Sequence, residues 1–301
     1  MVVVAAKPPQ QPQNMPLFPL SRTDVNLINM EQKRGTLRAH TLPWNGVVYI
    51  AVGILILGWL LNTPAGLLGK ADAIGYAVCH RIDSRSLHLG DRQMPLCVRC
   101  SGMYLGAMLG LGFLAWTGPR RSGVPPYSIL AVLGIFIAAF VIDGLNSFLN
   151  LIPGIPTLYE PHHWLRMLTG SGMGLVIAMA LYPAFNQTVW KQPDERPAII
   201  SLRTMGWLVL ITFGLDAIIL TENPLILYPL ALISAGGVLV ILTMVYCMLC
   251  LILFKKENRF SSLRQMLTPL TAGLGIAFTQ IIVLDIIRYM ITGTWDGFHL
   301  G

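Results

Sequence analysis

Residues 224–254, PLILYPLALISAGGVLVILTMVYCMLCLILF, decide the fold class, because this stretch contains no acidic or basic side chain. A helix crosses the hydrocarbon core of a bilayer with roughly 20 apolar residues. Of the 301 residues in the chain, 54% are hydrophobic and 12% are charged, whereas roughly 25% are charged in a typical soluble domain. The sequence therefore predicts an integral membrane protein and excludes a large soluble core.

Further apolar runs of comparable length lie on either side of this stretch. We predict an all-α, polytopic transmembrane helix bundle of about seven spans, at residues 46–65, 98–117, 127–149, 163–185, 199–220, 224–254 and 268–292. The transmembrane domain is thus expected to occupy residues 46–301. Residues 1–45 are polar and rich in Pro and Gln near their start, so we predict a disordered cytoplasmic tail there.

The lysines and arginines of the connecting segments are unevenly distributed between the two sides of the predicted bundle. If the N-terminus lies in the cytoplasm, most of them face the cytoplasm, as the positive-inside rule requires, and the C-terminus lies outside. The basic residues left outside all lie in or next to residues 66–97, which indicates another role for them. No basic patch interleaved with aromatic residues points to nucleic-acid binding.

Residues 66–97 form a loop rich in cysteine, histidine and arginine. Its motif continues into the next span as CHRIDSRSLHLGDRQMPLCVRCSG, residues 79–102. Within it, Gly90 and Asp91 predict the turn of a short hairpin. This loop is therefore expected to have local structure of its own.

A C-x-x-C pair lies where this loop enters the second span. Pro95 suits the first turn of a helix, which places Cys97 and Cys100 on one helix face. The positive end of that helix and the nearby arginines favour thiolates over thiols. The pair is therefore predicted to be ionisable rather than inert.

Three chemistries fit these cysteines, and the sequence leaves them open. Metal binding would use a Cys₃His set suited to zinc, drawn from Cys79, Cys97, Cys100 and either His80 or His88. Thiol–disulfide chemistry would use the C-x-x-C pair with Cys79 as a third partner. In the third case the cysteines only pack as small apolar residues.

Ionisable side chains also lie inside the predicted spans, where they are costly and mark functional sites. Because successive spans alternate in direction, five of them fall in the membrane half next to the cysteine loop. They are Asp143 and Arg166 and, as secondary candidates, Asp216, Asp285 and Arg288. A purely structural alternative pairs Asp143 with Arg166, and Asp285 with Arg288.

The arginines on this side support a second hypothesis, in which they bind an anionic lipid headgroup or a small anion. The candidate anion-binding or counter-ion residues are Arg81, Arg85, Arg99, Asp143 and Arg166. The cysteines would then only hold the loop together. Glu160 and His162, in the loop before the fourth span, are secondary candidates for a metal ligand or a proton relay.

These motifs resemble a family of uncharacterised polytopic membrane proteins of bacteria and archaea. Its signature of Cys-His, Arg-Ser, Gly and Pro-x-Cys-x-Arg-Cys-[Ser/Thr]-Gly is matched within residues 79–102, with Arg81 where Gln is expected. A second block is matched by Asp-Gly at 143–144 and Leu-Arg-x-x-Thr-Gly at 165–170. The resemblance covers residues 70–185. It implies a prokaryotic plasma membrane protein, and it implies no reaction.

These patterns together predict a membrane protein with a Cys/His metal-binding or thiol-redox site at one membrane face, beside an Asp143–Arg166 pair. One alternative is a transporter or lipid-handling protein that binds an anionic headgroup. Another is a structural or assembly subunit that works with partner subunits in a membrane complex. No catalytic residue or enzyme class is indicated, and zinc is the cofactor considered.

Overall fold

The computed structural model describes residues 44–295, which form a bundle of α-helices. Eight helices lie in this part of the chain: α1 Trp44–Asn62, α2 Gly66–Val78, α3 Val98–Thr117, α4 Tyr127–Leu149, α5 His163–Val189, α6 Leu202–Ile219, α7 Pro224–Leu253 and α8 Leu267–Thr292. All but α2 are long and apolar enough to cross a membrane. The prediction of an all-α bundle with seven spans is therefore confirmed.

The helix boundaries follow local signals in the sequence. At the start of α7, the Asn223 side chain accepts a 3.0 Å hydrogen bond from the Leu225 N–H, and Pro224 occupies the first turn. The helix α1 begins at Trp44, so the expected boundary between residues 45 and 46 falls inside a helix. The rest of the predicted tail lies outside the described residues, and the membrane orientation stays a prediction.

The loop predicted at residues 66–97 contains a helix that the sequence pattern did not reveal. This helix, α2, is 13 residues long and carries two charged side chains, so it lacks the apolar length of a span. A 3₁₀ turn at Asp83–Arg85 and two strands follow it, β1 His88–Leu89 and β2 Arg92–Gln93. The strands pair antiparallel around Gly90 and Asp91, so the predicted hairpin is confirmed.

Close contact between α3 and α5 fixes the second and fourth spans against each other. A Cβ atom on Gly106 would lie 2.5 Å from the Ser171 carbonyl oxygen, and one on Gly170 would lie 2.2 Å from the Arg99 carbonyl oxygen. Small residues allow helix backbones in a membrane to approach this closely. The contact holds the start of α3 rigidly against α5.

A second pair of short strands lies at the other end of the bundle. They are β3 Arg121–Gly123 and β4 Asp194–Pro197, and they pair in parallel. At this end Cys247 of α7 is fully buried in a cluster with Val189, Trp190 and Met266. This environment is apolar.

Candidate functional site

Three thiols from two segments distant in the sequence meet at one end of the bundle. The Sγ atoms of Cys79, Cys97 and Cys100 all lie within 4.8 Å of one another, and all three cysteines are free. Cys79 caps the C-terminus of α2, Cys97 caps the N-terminus of α3, and Cys100 lies one turn inside α3. Within residues 44–295, no other group of three or more His, Cys, Asp or Glu residues is close enough to hold a metal ion.

A tight contact between α2 and the segment before α3 brings the cysteines together. A Cβ atom on Gly75 would lie 1.9 Å from the Pro95 carbonyl oxygen, so only glycine allows this approach. Pro95 precedes the helix rather than lying in its first turn, because α3 begins after the Cys97 N-cap. As a result, the backbone N–H of Cys97 donates a 3.4 Å hydrogen bond to Cys79 Sγ.

Cys79 is the sulfur of this triad that is arranged to be anionic. Hydrogen bonds from the Cys100 and Cys97 thiols lower the pKa of Cys79 well below its ordinary value, although burial opposes this. The backbone N–H groups of Cys97 and Arg81 act in the same direction. Cys97 accepts a favourable hydrogen bond from Cys100, but its hydrogen bond to Cys79 and burial raise its pKa to about 12. The sequence interpretation that made Cys97 ionisable is therefore corrected: the anionic position belongs to Cys79.

Arg288 of α8 holds the backbone that carries Cys79. Its guanidinium donates a hydrogen bond to the Tyr76 carbonyl at 2.6 Å, a second to the Cys79 carbonyl and a third to the His80 carbonyl at 3.2 Å. The predicted partner Asp285 makes no such contact with it. This secondary candidate thus lies at the site, where its hydrogen bonds fix the Cys79 segment.

The imidazoles of His80 and His88 lie outside the group of three thiols. His80 Nδ1 accepts a 3.1 Å hydrogen bond from the Ile82 N–H. Burial lowers the pKa of His80, and the positive charges of neighbouring arginines add to this, so its neutral form is favoured. His88 Nε2 is 2.9 Å from Asp83 Oδ1 on the hairpin surface. The candidate metal site consists of three sulfurs, without the histidine that the sequence suggested.

Three arginines converge beside the triad on one serine of α4. Arg85 donates to the Ser147 carbonyl at 2.7 Å. Arg99 and Arg166 donate to Ser147 Oγ at 2.8 Å and 3.3 Å. Ser147, Arg85 and Arg166 are buried. The predicted convergence of these arginines is therefore present, around a residue that the sequence analysis did not name.

Asp143 supplies the negative charge of this arginine cluster. Its ion pair is with Arg99, whose Nε lies 3.0 Å from Oδ2, so the expected pair with Arg166 is wrong. Tyr159 donates to Oδ1 at 3.0 Å and Thr169 donates to Oδ2 at 3.2 Å. The side chain of Asp143 is thus fully engaged by its neighbours.

Two of the loop arginines form ion pairs with a different carboxylate. Arg81 lies 3.1 Å from Asp72 of α2, and Arg92 pairs with the other oxygen of the same carboxylate. Asp72 was absent from the sequence candidates. The possible anion-binding set is therefore reduced to Arg85, Arg99 and Arg166.

The remaining candidates lie apart from the thiols. Glu160 and His162 are exposed, and the His162 ring stacks on Trp164. Asp216 accepts a hydrogen bond from Ser171 of α5. Asp285 lines a separate cavity.

Sequence reasoning missed Asp72, Ser147 and Tyr159. Ser147 lies four residues after Asp143 on the same helix face, and that spacing was the available signal. Asp72 lies in the helix that went unrecognised. Tyr159 lies in a loop, where no helical periodicity predicts its contact with Asp143.

The part of the chain that carries this site is similar to other proteins. Residues 79–180 match a family described as "Predicted membrane protein (DUF2085)". An uncharacterized protein from Methanocaldococcus jannaschii is 22% identical over 120 residues, which cover 40% of this chain and 71% of the archaeal protein. No solved structure matches. The likeness to a membrane protein family of unknown function is confirmed, and the archaeal relative points to a prokaryotic plasma membrane.

Proposed function

We propose that the protein binds a thiophilic transition metal ion at one membrane face through Cys79, Cys97 and Cys100. The mutual proximity of three sulfurs carries this proposal, because a disulfide needs only two. Thiolate ligands favour zinc and copper(I) among the biological metals. The family likeness names no ligand, so this proposal rests on the thiol geometry.

The environment of the triad supports metal binding in two further ways. Cys79 offers a thiolate before any metal arrives, because N–H and S–H donors surround its sulfur. Its backbone is held by Arg288, and α3 is held by α5. Rigid ligands lose little conformational freedom on binding a metal.

The number of protein ligands bears on the role of such a metal. Structural zinc sites usually have four protein ligands, whereas catalytic sites keep one position open. The described residues supply three sulfurs in one group. We therefore infer a fourth position that water or a substrate would fill, with zinc as the metal of choice.

Cobalt(II) binding tests this proposal, because thiolate ligation gives it strong charge-transfer absorption. We expect purified protein in detergent to bind one cobalt ion per chain, displaced by zinc. Cys79→Ser and Cys97→Ser should each remove this absorption. Cys247→Ser is the matched control, since it alters an equally buried cysteine far from the site. A disulfide within the triad of freshly purified protein, with no cobalt bound after reduction, would replace metal binding with the thiol-redox alternative.

A second candidate function is anion binding by Arg85, Arg99 and Arg166. Within the described residues only Arg99 forms an ion pair, with Asp143, whereas Arg85 and Arg166 donate hydrogen bonds to the neutral Ser147, so the cluster has excess positive charge. Buried charge without a counter-ion is costly, and an anion would offset the excess.

Thermal stabilisation by inorganic phosphate tests the second candidate. We expect stabilisation of the wild type that is lost in Arg166→Gln and kept in Arg203→Gln, an exposed arginine away from the cluster. Comparing free phosphate with phosphatidylglycerol nanodiscs separates a small anion from a lipid headgroup. Equal stabilisation of both variants would contradict this function.

A further inference from the structure

A cavity between α1 and α8 lies outside the thiol triad and the arginine cluster. Its volume is about 500 Å³, and most of its walls are apolar or aromatic. Ile54 and Met290 line it and expose 66% and 80% of their surfaces. Since both helices are membrane spans, the cavity opens sideways toward the lipid.

One acidic side chain interrupts this apolar wall. Asp285 is 4% exposed, and neither of its carboxylate oxygens has a hydrogen-bond partner among the described residues. The Trp59 indole lies beside it, but its N–H falls outside hydrogen-bond geometry and also has no partner. A buried carboxyl group with no donor is costly in a membrane, which marks a functional position.

The neighbouring Arg288 supplies no hydrogen bond to the carboxylate oxygens of Asp285. Its positive charge reaches Asp285 from one turn further along α8. However, its guanidinium donates to the carbonyls of the Cys79 segment. Within residues 44–295 the oxygens of Asp285 therefore have no donor, and a cationic ligand in the cavity would supply one.

We propose that this cavity binds a membrane-soluble amphiphile that has an apolar chain and a protonated amine as its headgroup. An ionised carboxylate only accepts hydrogen bonds, and an ammonium group only donates them, so the two satisfy each other. Trp59, Tyr289 and Trp295 line the same space and offer aromatic faces that attract a cation. The volume lies in the range of sites for small organic ligands.

Tryptophan quenching by 12-bromododecylammonium tests the proposal on the full chain in phosphatidylcholine nanodiscs. We expect a saturable quenching component from Trp59 and Trp295, which both line the cavity, above the linear quenching of lipid-facing tryptophans. This component should be reduced in Trp59→Phe and absent when both tryptophans are changed to Phe. Asp285→Asn should weaken the saturable binding about tenfold or more, because it removes the charge. Asp216→Asn is the matched control, since that buried acid pairs with Ser171 instead.

A second variant keeps the test valid if Asp285→Asn folds poorly. Gly58 lines the cavity and has open space around its Cβ position, so Gly58→Leu fills the cavity without a backbone clash. Gly53→Leu has the same open space on the same helix but does not line the cavity. We expect Gly58→Leu to abolish saturable quenching and Gly53→Leu to preserve it, with cobalt binding at the thiols unchanged in both.

Two outcomes would overturn the proposal. Equal saturable quenching by neutral 12-bromododecanol would show that the cavity selects no cation. Saturable quenching that survives Gly58→Leu would place the amphiphile elsewhere.

Discussion

The C-x-x-C spacing occurs twice in this chain, and the two pairs are similarly buried but differ in their surroundings. Cys97 and Cys100 stand at the start of α3, where a third thiol lies within 4.8 Å and a polar network adjoins them. Cys247 and Cys250 lie in the second half of α7, where Cys247 packs among apolar side chains. A Cβ atom on Gly273 of α8 would lie 2.8 Å from the Cys247 backbone nitrogen, so the backbone of α7 at Cys247 packs closely against α8. Spacing alone does not make a site; a converging third ligand does.

The largest expected loss of fold stability comes from removing the negative charge of Asp143, which balances the arginines at the thiol end of the bundle. Asp143→Asn leaves Arg99 without its ion-pair partner and should destabilise the fold by about 3–5 kcal/mol, as breaking a buried pair does. Asp194→Asn, a half-buried acid at the other end whose ion-pair partner Arg196 is exposed, should change the stability little. Thermal unfolding of both variants in detergent measures the difference. Equal stability would mean that the two ends are not electrostatically distinct.

A smaller loss of fold stability should follow when α2 is pushed away from the segment before α3. Gly75→Ala places a methyl group against the Pro95 carbonyl and should cost about 1–3 kcal/mol, while weakening cobalt binding by moving Cys79. Gly112→Ala is the control, because its Cβ position is open. A Gly75→Ala variant with unchanged cobalt affinity would show that this contact does not position the thiols.

The second cysteine pair should tolerate replacement. Changing Cys247 and Cys250 together to Ala removes two sulfur atoms from a helix contact and should cost about 1–2 kcal/mol. Cobalt stoichiometry should not change. A loss of bound cobalt in this double variant would show that the second cysteine pair also contributes to metal binding.

The smallest expected effect concerns Tyr159, which bridges a loop to Asp143. Burial and its hydrogen bond to Asp143 raise the pKa of Tyr159 to about 12. The neutral phenol is thus favoured in the folded state, so its contribution to stability is complete below its ordinary pKa of roughly 10. That contribution is lost as the pH rises through 12. Ultraviolet titration should show this late step, absent in Tyr159→Phe and shifted to lower pH in Asp143→Asn.

Some features of the site were predictable because their signals are local. Gly90 and Asp91 predicted the hairpin turn, and Gly90 adopts the positive φ of 61° that favours glycine. The placement of Asp143 and Arg166 in the membrane half next to the cysteine loop followed from counting alternating spans. The ion-pair partner of Asp143 did not follow, because several arginines lay within reach and only side-chain packing selects among them.

The sequence by itself determined that the chain crosses the membrane with seven helices, because apolar length is a property of each segment alone. It also determined which end of the bundle carries the polar residues. Only the tertiary structure decided that Cys79 joins the C-x-x-C pair and carries the anionic position, because that depends on α2 meeting the segment before α3 at Gly75. It alone placed Asp285 in a lateral cavity rather than in a pair with Arg288, since that depends on which helix packs against α8.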